Sequence, residues 1–96
     1  MRVDFYVYSP EVALTCFSKS VEWSSATPKP PCSLVFLGMD GESLKTGRPA
    51  VGEVEDVDES NGFTRVLLAT SQLPQDLQDR LVADGWRKVP LPNFAK

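Results

Sequence analysis

The pair Asn61-Gly62, set between Val51–Ser60 and Phe63–Thr70, is the feature that most restricts how this chain folds. Both residues tolerate positive φ, which a two-residue type I′ hairpin turn demands at its central positions. A two-residue loop pairs Ser60 with Phe63, sets Asp58 opposite Arg65 and places Val57 opposite Val66. Farther from the turn the pairing deteriorates, because Asp56 then meets Leu67 and Glu55 meets Leu68. A bulge near Glu55-Asp56, or fraying of the first strand, relieves that conflict. A hairpin is expected, and its register over 54–70 stays open.

The segment after the hairpin reads as scaffold. Leu73-Pro74 opens a helix over Pro74–Asp84: Leu73, Leu77 and Leu81 recur at four-residue spacing, Val82 widens the stripe, and Gln75, Asp76, Gln78 and Asp79 face water. Ser71 is an upstream cap candidate and Gly85 suits the residue after the helix. Trp86–Leu91 follows as a short strand that Pro90 and Pro92 confine to a sheet edge.

At the other end, Arg2–Tyr8 alternates: Val3, Phe5 and Val7 on one face, Asp4, Tyr6 and Tyr8 on the other. Ser9-Pro10-Glu11 reads as a helix start, a capping serine followed by a first-turn proline and an acid. Ala13, Cys16, Phe17 and Val21 follow at near-helical spacing, although Val12, Thr15 and Cys16 are poor helix formers. A strand is the competing reading of 12–21. Ser24–Pro31 is a proline-stiffened connector whose Pro28-Lys29-Pro30-Pro31 fits a minimal polyproline-ligand pattern. Ser33–Leu37 reads as a short buried strand ended by Gly38, and Asp40–Pro49 as a loop. A phosphate-binding loop is excluded there, since Leu44 and Met39 stand where glycines are needed around Lys45.

These elements predict one α+β domain over 1–96, with 93–96 a frayed tail. The expected architecture is a four- to five-stranded, mainly antiparallel sheet with two helices on one face. Its order is related to the ferredoxin-like βαββαβ arrangement. A hydrophobic share of 42% and a charged share of 24% suit a chain that buries one modest core.

Histidine is absent, which removes Ser-His and Cys-His nucleophile systems and histidine-ligated metal from a single chain. Cys16 and Cys32 are too few for a cysteine-only zinc site and too far apart for a C-x-x-C redox motif, so they read as small core residues. No cofactor or metal is expected. Asp4 interrupts any secretory apolar run and the longest apolar stretch is short, so the chain is expected to be cytoplasmic and off the membrane.

Charge supplies the candidate contact surface. Net charge is −3, yet Glu53, Glu55, Asp56, Asp58 and Glu59 fall together, and no Lys or Arg occurs from Pro49 to Thr64. One reading is a patch for a protein partner with a basic surface, with Tyr6 and Tyr8 as further contacts. The other is an edge strand whose charges prevent sheet-to-sheet association. Asp56, Asp58 and Ser60 have the first spacings of a calcium loop, but Asn61 and Leu67 stand where its glycine and bidentate glutamate belong. Asp56 and Asp58 on one strand face are the pair a carboxylate-based enzyme would use.

The run Asn61-Gly62-Phe63-Thr64-Arg65-Val66-Leu67-Leu68 resembles the third-strand motif of RNA-recognition domains at Gly62, Phe63 and Val66. That resemblance implies a sheet face that stacks bases on first- and third-strand aromatics, here Tyr6, Tyr8 and Phe63. It departs at Asn61, Arg65 and Leu68, where the family has a basic residue and two further aromatics. Scattered basic residues also argue against a nucleic-acid ligand. The expected function is a small non-enzymatic protein-interaction module, such as an inhibitor, immunity-like factor or adaptor. An RNA-recognition-like binder or a small carboxylate enzyme is the alternative.

Overall fold

The computed structural model describes residues 1–24, 26–37, 51–60 and 62–92, except the side chains of 12–15 and Ser60. The Asp40–Pro49 loop, the 93–96 tail and Asn61 itself lie outside the described residues. Among the described residues six strands form one sheet: β1 (Arg2–Ser9), β2 (Val12–Glu22), β3 (Ser33–Val35), β4 (Val51–Ser60), β5 (Phe63–Ala69) and β6 (Arg87–Val89). Their order is β3-β4-β5-β1-β2-β6. All neighbours are antiparallel except β1 and β5, which run parallel. Among the described residues the one helix is α1, Gln75–Ala83.

This architecture corrects the expectation of two helices on a four- to five-stranded sheet, and with it the ferredoxin-like order. The first predicted helix is strand β2. Ser9 does not cap a helix: its Oγ accepts the Glu11 N–H (3.4 Å) and donates to the Ser71 carbonyl (3.2 Å), tying a tight turn at Pro10-Glu11. The chain then returns antiparallel to β1, pairing Val7 with Phe17 and Val3 with Val21. β-branched and aromatic residues favour that extended path.

The place on the sheet face that the first predicted helix was expected to fill is taken by a strap. Residues 23–32 lead from β2 to β3, so the chain must pass β1, β5 and β4 in the sheet order. Trp23 packs edge-on against Phe5 (5.2 Å between centroids), Pro28 is buried, and Cys32 packs partly against the core. Pro28 anchors the strap in the core, while Lys29, Pro30 and Pro31 of the polyproline pattern are exposed.

One sheet face is therefore covered by the strap and α1. Val3, Phe5 and Val7 are wholly buried there, as their alternation predicts, together with Phe17, Val66, Leu68, Leu81 and Trp86. The apolar run after Cys32 forms only the short strand β3, and its burial falls on Phe36 and Leu37 just beyond. Helix α1 has Pro74 at its N-cap position with no side-chain cap, so Ser71 does not fill that role, and Val82 is exposed rather than part of the apolar stripe. Its end is a Schellman motif: the Trp86 N–H donates to the Leu81 carbonyl (2.9 Å) and the Gly85 N–H to that of Val82 (3.1 Å). Gly85 takes φ +94°, which a side chain would strain. Trp86 thus ends the turn as a buried anchor, and the last strand is β6, at the sheet edge as the prolines require.

The hairpin pairs as its turn dictates: Ser60 with Phe63, Asp58 with Arg65, Val57 with Val66, with Gly62 at φ +78°. The open question of register is resolved by a bulge. Asp56 meets Leu67, the next pair is Val54 with Leu68, and Glu55 is the extra residue between them. That single insertion keeps Val54 in the core while letting its acidic neighbours point away.

Candidate functional site

The face opposite α1 and the strap carries most of the residues singled out in the sequence. Strand alternation places Asp4, Tyr6 and Tyr8 of β1 there, each half-buried. The register sets them beside Arg65, Leu67 and Ala69 of β5, and beyond those beside Asp58, Asp56 and Glu53 of β4. Glu55 joins them from the bulge. Glu59 does not: it pairs with Thr64, which pairs with Val3, so it belongs to the covered side, near Lys29 and Pro30. The acidic run is therefore split four to one between the two faces.

The edge reading of the run is also partly met. β3 pairs only with Val51–Glu53, so among the described residues Asp56–Ser60 has a strand neighbour on one side alone. The Asp56 carboxylate accepts the Val57 N–H at 2.9 Å. Asp56 is thus a strand-edge residue that satisfies an edge donor as well as a surface charge.

Hydrogen bonds knit the face across its strands. The Arg65 guanidinium is paired with Asp58, and this bond, helped by the Tyr6 side chain, raises the Arg65 pKa. Asp4 accepts the Ser20 hydroxyl at 2.5 Å, and Arg2 donates to the same hydroxyl at 3.2 Å. The Tyr8 hydroxyl donates to the Glu55 carboxylate, so the bulge residue is held over the end of β1. Among the described residues neither Glu53 nor Glu55 has an ion-pair partner.

Tyr8 is pushed up to about 12, first by burial, then by its bond to Glu55 and by the negative charge of that group. It is a donor at neutral pH and no candidate base. Because its folded pKa lies above the unfolded value near 10, the stabilisation it reflects is complete below pH about 10 and is lost as pH rises from there through about 12. Spectrophotometric titration should therefore show one of the two tyrosines ionising late, and Tyr8→Phe should remove that step. Glu55→Gln should lower it only in part, since burial is the larger cause; a full return to the ordinary value would contradict this.

Next to the Tyr8–Glu55 pair the face opens into a cleft of about 540 Å³. Glu11 of the β1–β2 turn, Glu53 and Glu55 of β4, and Thr70 and Ser71 after β5 border it, with Val51, Ala69 and Pro10 as apolar lining. Sequence reasoning missed Glu11, Thr70 and Ser71. Ser-Pro-Glu suits a helix start in sequence, and it is the turn it forms instead that brings Glu11 to the end of the sheet.

Cys16 is wholly buried and Cys32 half-buried, and both are free. Burial pushes the Cys16 thiol up to about 11, so it stays protonated and unreactive at neutral pH. No group of three or more metal-ligating side chains occurs among the described residues, and no described helix is long and apolar enough to cross a membrane. No family model, curated protein or solved structure matches the chain.

Proposed function

We propose that this chain is a small non-enzymatic protein-interaction module that presents its uncovered sheet face to a basic partner surface. The observation that carries the reading is the bulge at Glu55, which lets Glu53, Glu55, Asp56 and Asp58 share one face while Val54 stays in the core. Tyr6 and Tyr8 supply half-buried aromatic surface within the same patch, the residue type that anchors protein interfaces. An excess of carboxylates repels phosphate, which favours a protein partner over RNA despite exposed Phe63 on the same face. A cytoplasmic setting fits two unlinked cysteines.

The test is capture of a partner from lysate of the source organism, with the bound protein identified by mass spectrometry. Reversing Glu53, Glu55, Asp56 and Asp58 to lysine should abolish capture while circular dichroism shows an unchanged fold. Glu59→Lys, on the covered side, should leave capture intact. Equal loss in both variants, or no loss in the first, would remove the face from consideration.

A further inference from the structure

We propose that the outer edge of β4 over Asp56–Ser60 takes an extended segment of the partner as an added antiparallel strand, basic and apolar residues alternating along it. This rests on the interaction reading above for the acidic sign of the open face; the edge itself is a separate feature of the backbone.

The hairpin decides which groups the edge presents. A two-residue turn makes Ser60 and Phe63 a hydrogen-bonded pair, so Asp58 and Asp56 also bond toward β5. Val57 and Glu59 therefore point their N–H and C=O groups outward. The row beside β4 stops short of them. β3 covers Val51–Glu53, the Val54 N–H donates to the Cys32 carbonyl (2.8 Å), and Pro31 and Pro30 stand next in the chain. Neither proline has an N–H to offer, so the strap leaves the ladder there. Among the described residues nothing bonds the outer side of the Glu59 backbone. At Val57 the place of a neighbouring strand's carbonyl is taken by the Asp56 carboxylate, 2.9 Å from the N–H. A side chain standing in for a backbone acceptor marks where an added strand bonds.

The surroundings set the occupant. β3, already in that outer row, runs antiparallel to β4, and antiparallel pairing is slightly the stronger. Directly opposed residues share a face, so those opposite Val57 and Glu59 turn to the covered side. They meet there a hollow of about 460 Å³ between β4 and the strap, lined by Lys29, Pro30, Asp56, Val57 and Glu59. Pro30 and half-buried Val57 offer apolar contact, and Lys29 balances Glu59 in the lining, which suits an apolar side chain. The intervening residues turn to the open face beside Asp56 and Asp58, where basic side chains are favoured and acidic ones repelled. A second copy is disfavoured for the same reason, since pairing β4 edge to edge sets like charges against each other.

The experiment uses the full chain, a capped Lys-Val-Lys-Val-Lys peptide and amide hydrogen exchange followed by NMR. In the chain alone the Glu59 amide should exchange much faster than that of Asp58, which bonds to β5. The peptide should protect Glu59 saturably and shift Val57 and Lys29, and a capped Glu-Val-Glu-Val-Glu peptide should not. N-methylation of both valines should abolish the effect, because these are the residues bonded to β4, whereas N-methylation of the lysines should preserve it. Glu59→Pro removes the outward N–H without touching the ladder to β5. It should weaken binding about fivefold or more in a shift titration at Val57 and Lys29, while Glu59→Gln binds as the wild type does. If Glu59→Pro fails to fold by circular dichroism, the N-methylated peptides decide. Protection of Glu59 in the chain alone means that the edge is already covered and overturns the assignment. Binding of the acidic peptide, or equal binding of the two N-methylated peptides, overturns it too. Glu59→Pro keeps all four acids of the open face, so the edge is tested apart from it. The interaction reading fails separately, if the four-residue charge reversal leaves partner capture intact.

Discussion

Leu81→Asp is expected to leave the protein unfolded in water. Leu81 is the buried residue of α1, fully inaccessible, and it also supplies the carbonyl that closes the helix on Trp86. Trp86 and Phe36 meet edge-on in the same core, at 6.1 Å between centroids. Burying a leucine contributes about 1.5–3 kcal/mol, and truncation to alanine costs about 2–5 kcal/mol once the cavity is included. An unpaired carboxylate at that position adds a desolvation cost of several kcal/mol more. The sum, roughly 5–10 kcal/mol, is comparable with the roughly 5–15 kcal/mol that holds a typical domain together. Leu81→Ala should remain folded with a urea midpoint clearly lowered, and Leu81→Asp should show no cooperative transition. Leu77→Asp, at a half-buried position, should fall between them. A wild-type-like transition in Leu81→Asp would mean that α1 does not close this core.

The parts of the fold that were legible in the sequence are those set by neighbours in the chain. The hairpin turn, its first three pairs, the inward triplet of β1 and the Gly85 helix stop all follow from a few adjacent residues. The bulge could be inferred as one of two remedies for a bad pairing, and its position at Glu55 needed the packing of Val54 to decide it. Strand β2 was obscured for a local reason: Ser-Pro-Glu suits a helix start and a hairpin turn alike. A second obstacle was Lys19, which interrupts the apolar alternation between Phe17 and Val21 on the inward face. The strap was hidden because a proline-rich connector carries no periodicity, and its burial depends on a sheet that forms from distant segments. The site followed the same division. That Asp58 faces Arg65 was readable, whereas the outlying place of Glu59 and the arrival of Glu11 at the cleft required the register of the whole sheet.

Lys19 explains itself only through a residue far away in sequence, and this makes it the second sensitive point. It stands opposite Phe5 on the covered side of the sheet, where a free ammonium would be costly. Its Nζ donates to the Asp84 carbonyl at 2.7 Å and lies 3.5 Å from the Asp84 carboxylate, so it serves the C-terminal end of α1 with both a hydrogen bond and a charge. The Trp86 indole N–H donates to the same carboxylate at 3.2 Å. Side-chain exposures of 11% for Lys19 and 4% for Asp84 place the pair among buried rather than surface ion pairs. Removing one partner of such a pair costs about 3–5 kcal/mol, because the other charge stays buried without its counter-ion. Lys19→Met is expected to show that loss in urea unfolding. Asp84→Asn keeps an acceptor for Trp86 and leaves the backbone bond from Lys19 in place, so a smaller loss of about 1–3 kcal/mol is expected. In the double variant neither charge of this pair remains, and the loss should be well below the sum of the two single losses. Strict additivity across that cycle would show that the two charges do not act on each other, and that Lys19 holds the helix by its backbone hydrogen bond alone.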